Sequence, residues 1–284
     1  MRTILLTTVA MVAFAANSIL ARLALGDGAI DAAGYTGIRL ASGAVVLALL
    51  VSLRGHRGWG ALVTLGTWRQ AAALLGYALA FSLAYLLLGA SMGALILFAS
   101  VQIGMVARAL LAGDRPGAFE WLGLGLAGAA FVYLVSPGLE APDPLGALLM
   151  VVSGLCWAAY SLLGRGSAQP LADTAGNFLR CLPVALVLLV VGLALQPPRL
   201  DGAIYAILSG AIASGLGYAV WYSALPLLSR TRAAVVQLSV PVIAAFGAVL
   251  LLGETMTPRL LVASVLILGG IALATGIASR RMRR

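Results

Sequence analysis

Lysine is absent from all 284 residues, and other reactive side chains are scarce: nine Asp plus Glu, one His and two Cys. Without lysine there is no Walker-type phosphate loop and no Schiff-base chemistry, which excludes an ATP-hydrolysing motor of that kind. Cys156 and Cys181 fall inside apolar runs, so they imply no disulfide framework and read as small core residues. His56 stands alone in a polar break, and no acid lies deep within an apolar run. Neither a metal site, a cofactor nor a buried proton relay is therefore expected. An integral-membrane enzyme would show clustered acids or histidines at the membrane surface, and none is visible.

Only 10% of the residues are charged and 62% are apolar, too little polarity to cover a soluble domain of this length. Apolar runs of about 20 residues recur along the whole chain, each long enough to cross a hydrocarbon core of about 30 Å as a helix. A β-barrel would instead show short segments of alternating polarity. The expected fold is all-α and membrane-integral, with ten spans. They fall near 3–24, 32–53, 70–90, 93–112 and 119–137, then 145–164, 173–195, 203–224, 230–252 and 258–279. Most prolines sit between the runs, where a helix has to stop: Pro116, Pro137, Pro142, Pro144, Pro170, Pro197, Pro198 and Pro258.

The net charge of +9 could suggest a nucleic-acid partner, but the arginines sit mostly at the ends of apolar runs. That distribution reports topology. With ten spans and cytoplasmic termini, the inner segments hold Arg2, Arg54, Arg57, Arg69, Arg115, Arg165, Arg230, Arg232, Arg280, Arg281, Arg283 and Arg284. The outer loops hold only Arg199 and Arg259, beside Asp27, Asp31, Glu140, Asp143, Asp201 and Glu254. An odd error in the span count would destroy this separation. The segment from Met1 to Ala15 has features of a secretory leader, yet its flanking residues recur later in the chain, so it reads as the first span.

The recurrence is an internal repeat. Phe14-Ala-Ala-Asn-Ser-Ile-Leu-Ala-Arg22 returns as Trp157-Ala-Ala-Tyr-Ser-Leu-Leu-Gly-Arg165, with five of nine positions identical. Arg39 matches Arg180, and Gly113-Asp114 matches Gly253-Glu254, at nearly constant spacings of 143, 141 and 140 residues. The expected halves are 1–137 and 145–284, the second ending in a basic tail, joined by a loop over 138–144. Five spans per half is an odd number, so the second half enters the membrane from the opposite side. Inverted repeats of this type place a substrate site near the midplane, between the halves.

Span count, halves and local signatures together resemble the drug/metabolite transporter superfamily, in its ten-helix branch of EamA-type exporters. The signatures are an arginine in the second helix of each half (Arg39, Arg180) and Pro241 followed by Gly253-Glu254 around the ninth helix. The first half departs from the pattern, with Val101 in place of a proline and Asp114 in place of glutamate. Trp157-Ala-Ala-Tyr160 and Gly215-x-x-Tyr218-Ala-x-Trp221 are similar to segments of bacterial aromatic amino-acid exporters. The resemblance implies a non-enzymatic exporter of small metabolites in the bacterial inner membrane, acting by alternating access. Its partners would be a small-molecule substrate and the bilayer, with no nucleic acid, as a monomer or weak homodimer. It also implies a cavity lined by helices 1, 3, 4, 6, 8 and 9.

Polar side chains inside a bilayer face a cavity or another helix. The candidate substrate-binding residues are Asn17, Tyr85, Phe98, Gln102, Trp157, Tyr160, Tyr218, Trp221, Tyr222, Gln237 and Ser239. Spacings of three or four put Trp157 with Tyr160, Tyr218 with Trp221, and Phe98 with Gln102 on shared helix faces. Aromatic faces could stack on a planar or cationic substrate, amino acids with aromatic or apolar side chains being the first expectation. A broad-specificity drug or cation exporter is the alternative, and packing or an interfacial belt is the bland account of the same rings. A channel would carry rings of like residues. Arg39 and Arg180 are read first as structural or gating residues that bond helix-end carbonyls or acids, with carboxylate binding second. Pro241 is expected to free the Gln237 carbonyl, and Pro183 to bend the seventh helix, while Glu254 stands at a helix end. The arginine asymmetry predicts that a reporter fused after Arg284 is cytoplasmic. A periplasmic signal would overturn both the even span count and the inverted repeat.

Overall fold

A computed structural model describes residues 2–54, 64–113, 117–136, 141–164, 167–224, 227–228 and 236–281. Several residues read above lie outside that set: His56, Asp114, Glu140, Arg57, Arg115, Arg165, Arg230, Arg232, Arg283 and Arg284. So do 137–140 in the joining loop and 229–235 at the start of the ninth expected span.

Among the described residues the architecture is all-helical. In chain order the long helices are α1 (Arg2–Leu25), α2 (Ala32–Leu53), α3 (Trp68–Ala84), α4 (Ala90–Leu111) and α5 (Ala118–Val135). They are followed by α6 (Pro144–Leu163), α7 (Pro170–Leu195), α8 (Leu200–Ala224), α9 (Ser239–Leu252) and α10 (Pro258–Arg281). Six of them are long and apolar enough to cross a membrane by length and composition: α1, α2, α4, α6, α7 and α8. The chain is a multi-pass membrane protein.

Helix starts follow local chemistry. Asp31 caps α2 by accepting from the Ala33 and Gly34 amides at 2.8 and 3.0 Å. Thr67 caps α3 through the Gln70 amide (3.1 Å) and Asp143 caps α6 through Gly146 (2.7 Å). Prolines 144, 170 and 258 open α6, α7 and α10, where an amide donor has no intrahelical acceptor to lose. After α9 the chain turns at Gly253 with φ +64°, a left-handed conformation that glycine adopts without strain.

The helices add detail to the sequence expectation in three places. The third helix stops at Ala84 rather than near 90, and α4 starts separately at Ala90 with Glu254 as its N-terminal cap. Its carboxylate accepts from the Ala90 amide and, at 3.1 Å, from the Ser91 amide. In the ninth span Val236 and Gln237 are helical, Leu238 is a turn, and the continuous helix runs from Ser239, with Pro241 in its first turn; the expected start near 230 lies outside the described residues. Finally, α8 is not uniform: Leu208–Leu216 is a nine-residue π-helix between two α-helical stretches. Pro183 lies inside α7, which runs on as a helix through it.

The helices pair in a regular way. α2 packs on α7, α5 on α10, and α4 on α9; α3 and α4 pack on α6, while α8 and α9 pack on α1. Replacing each helix by the one five places along turns every one of these contacts into another of them, or into itself. Tight approach relies on missing side chains. A Cβ on Gly37 of α2 would stand 2.6 Å from the Ala185 carbonyl oxygen of α7. One on Gly270 of α10 would stand 2.6 Å from the Gly123 carbonyl oxygen of α5. One on Gly210, in the π-helix, would overlap the Arg39 carbonyl oxygen and Ser42 Oγ of α2. Gly125, Gly128 and Gly269 have open space instead. Gly210→Ala is therefore expected to lower stability by about 1–3 kcal/mol, and Gly125→Ala to be neutral or slightly stabilising. Thermal unfolding of both variants in detergent checks the contrast.

Candidate functional site

Aromatic rings from five helices meet inside the bundle. On α3 and at its C-terminal cap, Tyr77, Phe81 and Tyr85 recur every fourth residue and touch in sequence, with centroids 5.5 and 4.7 Å apart. Tyr77 then meets Trp157 of α6 at 4.9 Å. Trp157 stacks on Tyr160 at 5.5 Å and reaches Tyr218 of α8 at 5.4 Å. Tyr218 continues edge-on to Phe14 of α1 (5.7 Å) and Phe178 of α7 (6.1 Å), and Phe14 touches Trp221 at 6.0 Å. Offset and edge-to-face pairs at these separations are mutually favourable. The result is one continuous ladder of rings, with Trp157 and Tyr218 as its branch points.

Of the residues singled out from sequence, Tyr85, Trp157, Tyr160, Tyr218 and Trp221 belong to this ladder. Phe98 is buried on α4, while Gln102 and Tyr222 are half-buried. Tyr222 faces Thr174 and Tyr160, and Tyr160 donates towards the Thr174 hydroxyl at 3.4 Å. Asn17 sits at a helix junction: its Oδ1 accepts from Ser209 Oγ at 2.7 Å and Ser214 Oγ at 3.5 Å, tying α1 to the π-helix. Gln237 is half-buried just before α9, and Ser239 Oγ donates to the Val236 carbonyl at 2.7 Å. Pro241 is buried in the first turn of α9. Glu254 serves as the cap of α4 described above and borders a cleft of about 430 Å³ with Gly89, Met92 and Leu260. That cleft lies at the α4 and α10 helix starts, near the Tyr85 end of the ladder.

Phe14, Tyr77, Phe81 and Phe178 were not singled out from sequence. The four-residue spacing of Tyr77, Phe81 and Tyr85 was a legible signal for two of them. Phe14 and Phe178 carry no such mark, since each is the only ring on its helix that joins the cluster.

The two matched arginines differ. Arg180 donates from Nη1 to the carbonyls of Leu65 and, at 3.3 Å, Gly176, and lies over the Trp68 ring at 5.6 Å. Beside it Asp173 accepts from the Gly66 amide (3.1 Å) and Asn177 from the Thr67 amide (2.9 Å), fastening the α2–α3 connection onto α7. Among the described residues Arg39 bonds no carbonyl and no acid. Its Nη2 donates to the Tyr77 hydroxyl at 2.9 Å. Its Cζ lies 5.2 Å from the Tyr77 centroid and 4.8 Å from that of Phe81. The residue is 2% exposed, and Nη1 is buried with no hydrogen-bond partner. Among the described residues the one ion pair is the exposed Arg199–Asp201. Removing a guanidinium from water costs several kcal/mol, and each desolvated ring face returns about 2 kcal/mol.

A bundle of apolar helices enclosing an aromatic ladder beside an interior cation has the organisation of a small-molecule membrane transporter. Comparison with known proteins agrees. The model of the EamA-like transporter family matches residues 144–276. An uncharacterized protein of Pseudomonas aeruginosa is 55% identical over 275 residues, covering 96% of this chain and 94% of its own length. The threonine/homoserine exporter RhtA of Escherichia coli K12 is 28% identical over 273 residues, covering 87% of this chain and 81% of RhtA. A solved crystal structure, 20% identical, overlays with a TM-score of 0.66 over 97% of both chains, a likeness of fold. The chain belongs to the EamA-like transporter family, within the drug/metabolite transporter superfamily.

The cap between α9 and α4 makes a direct prediction. Glu254→Ala leaves the Ala90 and Ser91 amides without their acceptor and is expected to cost about 1–2 kcal/mol. Glu254→Gln, which keeps an acceptor oxygen, is expected to lose less. Thermal melts of the two variants, compared with wild type in the same detergent, check this order.

Proposed function

We propose that the chain exports amino acids with aromatic or apolar side chains across the bacterial inner membrane. The site lies between two inverted five-helix halves, 1–137 and 145–284, which alternate access to it. The observation that carries this reading is the ladder from Tyr77 through Trp157 and Tyr218 to Phe14. Its rings come from α3 and α1 of one half and α6 and α8 of the other, so a substrate held by them would touch both. Flat faces at ring-contact spacing can be exchanged for the ring of a substrate at little cost, since the substrate restores the stacking it displaces. The helix contacts that map onto one another at a shift of five support the inverted repeat. The arginine asymmetry supports cytoplasmic termini.

A second reading has its own support. The Escherichia coli relative is named a threonine/homoserine exporter, which favours a small hydroxylated amino acid. The hydroxyl groups of Thr174, Ser209 and Ser214 lie beside the ladder helices. Export of organic cations is less well supported, because the charge lying against the ladder is the positive charge of Arg39.

Saturable flux through purified protein in liposomes tests these readings with phenylalanine, tryptophan, threonine and a quaternary cation. Flux of phenylalanine and tryptophan, reduced at least tenfold in Trp157→Ala, is the expected outcome. Threonine flux without tryptophan or phenylalanine flux would reject the aromatic preference and retain amino-acid export. Cation flux alone would reject both.

A further inference from the structure

Arg39 is a buried cation whose charge has no counter-ion among the described residues. A guanidinium does not shed its proton in a protein, so burial cannot neutralise it as it would a lysine. Its surroundings are half complete: a phenol on Nη2, two ring faces against the plane, and nothing on Nη1. Arg180 stands at the matched place in the other half and has its Nη1 donor taken by two carbonyls. The incomplete coordination therefore does not follow from being an arginine at this depth in the repeat.

The position of the open donor matters as much. The Tyr77 ring bonded to Arg39 is the ring in contact with Trp157, 4.9 Å away. Ser153 of α6 also donates to the Tyr77 backbone carbonyl at 3.1 Å, which fixes α3 against α6 at that level. An anion on Nη1 would thus be one ring away from the branch points of the ladder. Carboxylates suit the forked donors of arginine better than any other small anion found on metabolites, apart from phosphates. Phosphate would call for more than one cation, and Arg39 is alone among the described residues here.

We propose that Arg39 is the carboxylate anchor of the central site, binding the α-carboxylate of the substrate through Nη1 while Tyr77 and Trp157 hold its side chain. This rests on the amino-acid reading above only for the identity of the substrate; the anchor itself requires only a small organic carboxylate. Arg39 then sets specificity for the acid over its neutral analogues.

The test is equilibrium binding to purified full-length protein, by calorimetry. The ligands are phenylalanine, threonine, their carboxamides, and phenylacetate. A carboxylate that binds is expected to bind at least about tenfold more tightly than its carboxamide, as fits one charge-assisted hydrogen bond. Arg39→Gln is expected to erase that gap, lowering carboxylate affinity and leaving carboxamide affinity within about twofold. If Arg39→Gln does not fold, Arg39→Lys, which keeps the charge and loses the fork, is expected to shrink the gap several-fold. A gap unchanged in a folded Arg39 variant, or a wild type that binds acid and amide equally, overturns the anchor. Phenylacetate binding that depends on Arg39, with no binding of either amino acid, sustains the anchor and rejects the amino-acid reading. No binding of any of the three carboxylates overturns both.

Discussion

Lipid tails are as apolar as leucine, so helices inside a bilayer gain little by hiding apolar surface from their solvent, and close backbone contact has to hold them together. In this protein that constraint is met most tightly around α2. Gly37 lets it lie against the α7 backbone, and Gly210 lets the π-helix of α8 lie against the carbonyl of Arg39. Three helices are thereby fixed at one level of the bundle. Phe178 of α7 and Tyr218 of α8 meet there, and Arg39 is turned towards Tyr77 and Phe81 of α3. The ladder of rings depends on this contact, because α2 itself contributes no ring to it.

The two ends of the molecule are fastened by different means. On one side Asp173, Asn177 and Arg180 hold the chain at Leu65–Thr67. On the other side the Arg199 amide donates to the Ala29 carbonyl at 2.8 Å, and Glu254 caps α4. Charged groups that would be costly in hydrocarbon are thus spent at connections between helices, and the ladder is left with rings, a few hydrogen-bonded hydroxyls and amides, and one arginine. Arg259 follows the same rule. It joins α10 to the end of α5 through the carbonyls of Tyr133 and Ser136, with the Tyr133 ring beneath it.

Much of this architecture was legible beforehand. Uninterrupted apolar length identified the helices, and prolines 144, 170 and 258 marked the starts of three of them, because helix starts depend on residues close by in the chain. Tyr85 reads as part of the third helix and instead lies just past the end of α3, and α4 starts anew at Ala90, where Glu254 reaches across 164 residues to cap it. The π-helix was invisible for a related reason, since Ser209-Gly210-Ala211 reads as ordinary small-residue helix until α2 presses on it. Four of the nine rings of the ladder, Trp157, Tyr160, Tyr218 and Trp221, are legible as pairs at helical spacing. What spacing could not reveal was that Arg39 and Arg180, alike in the repeat, would differ in what they bond.

The π-helix of α8 also acts on residues beyond itself. An α-helix turns about 100° per residue, whereas the i→i+5 bonds of Leu208–Leu216 wind more slowly. Tyr218 and Trp221 follow immediately, so their compass bearing around the helix axis is inherited from the wide turns before them. Shortening that stretch by a single residue would swing both rings around α8 by most of a quarter turn and away from Trp157 and Phe14. A deletion there would damage the site as surely as removing the rings, although it touches none of them.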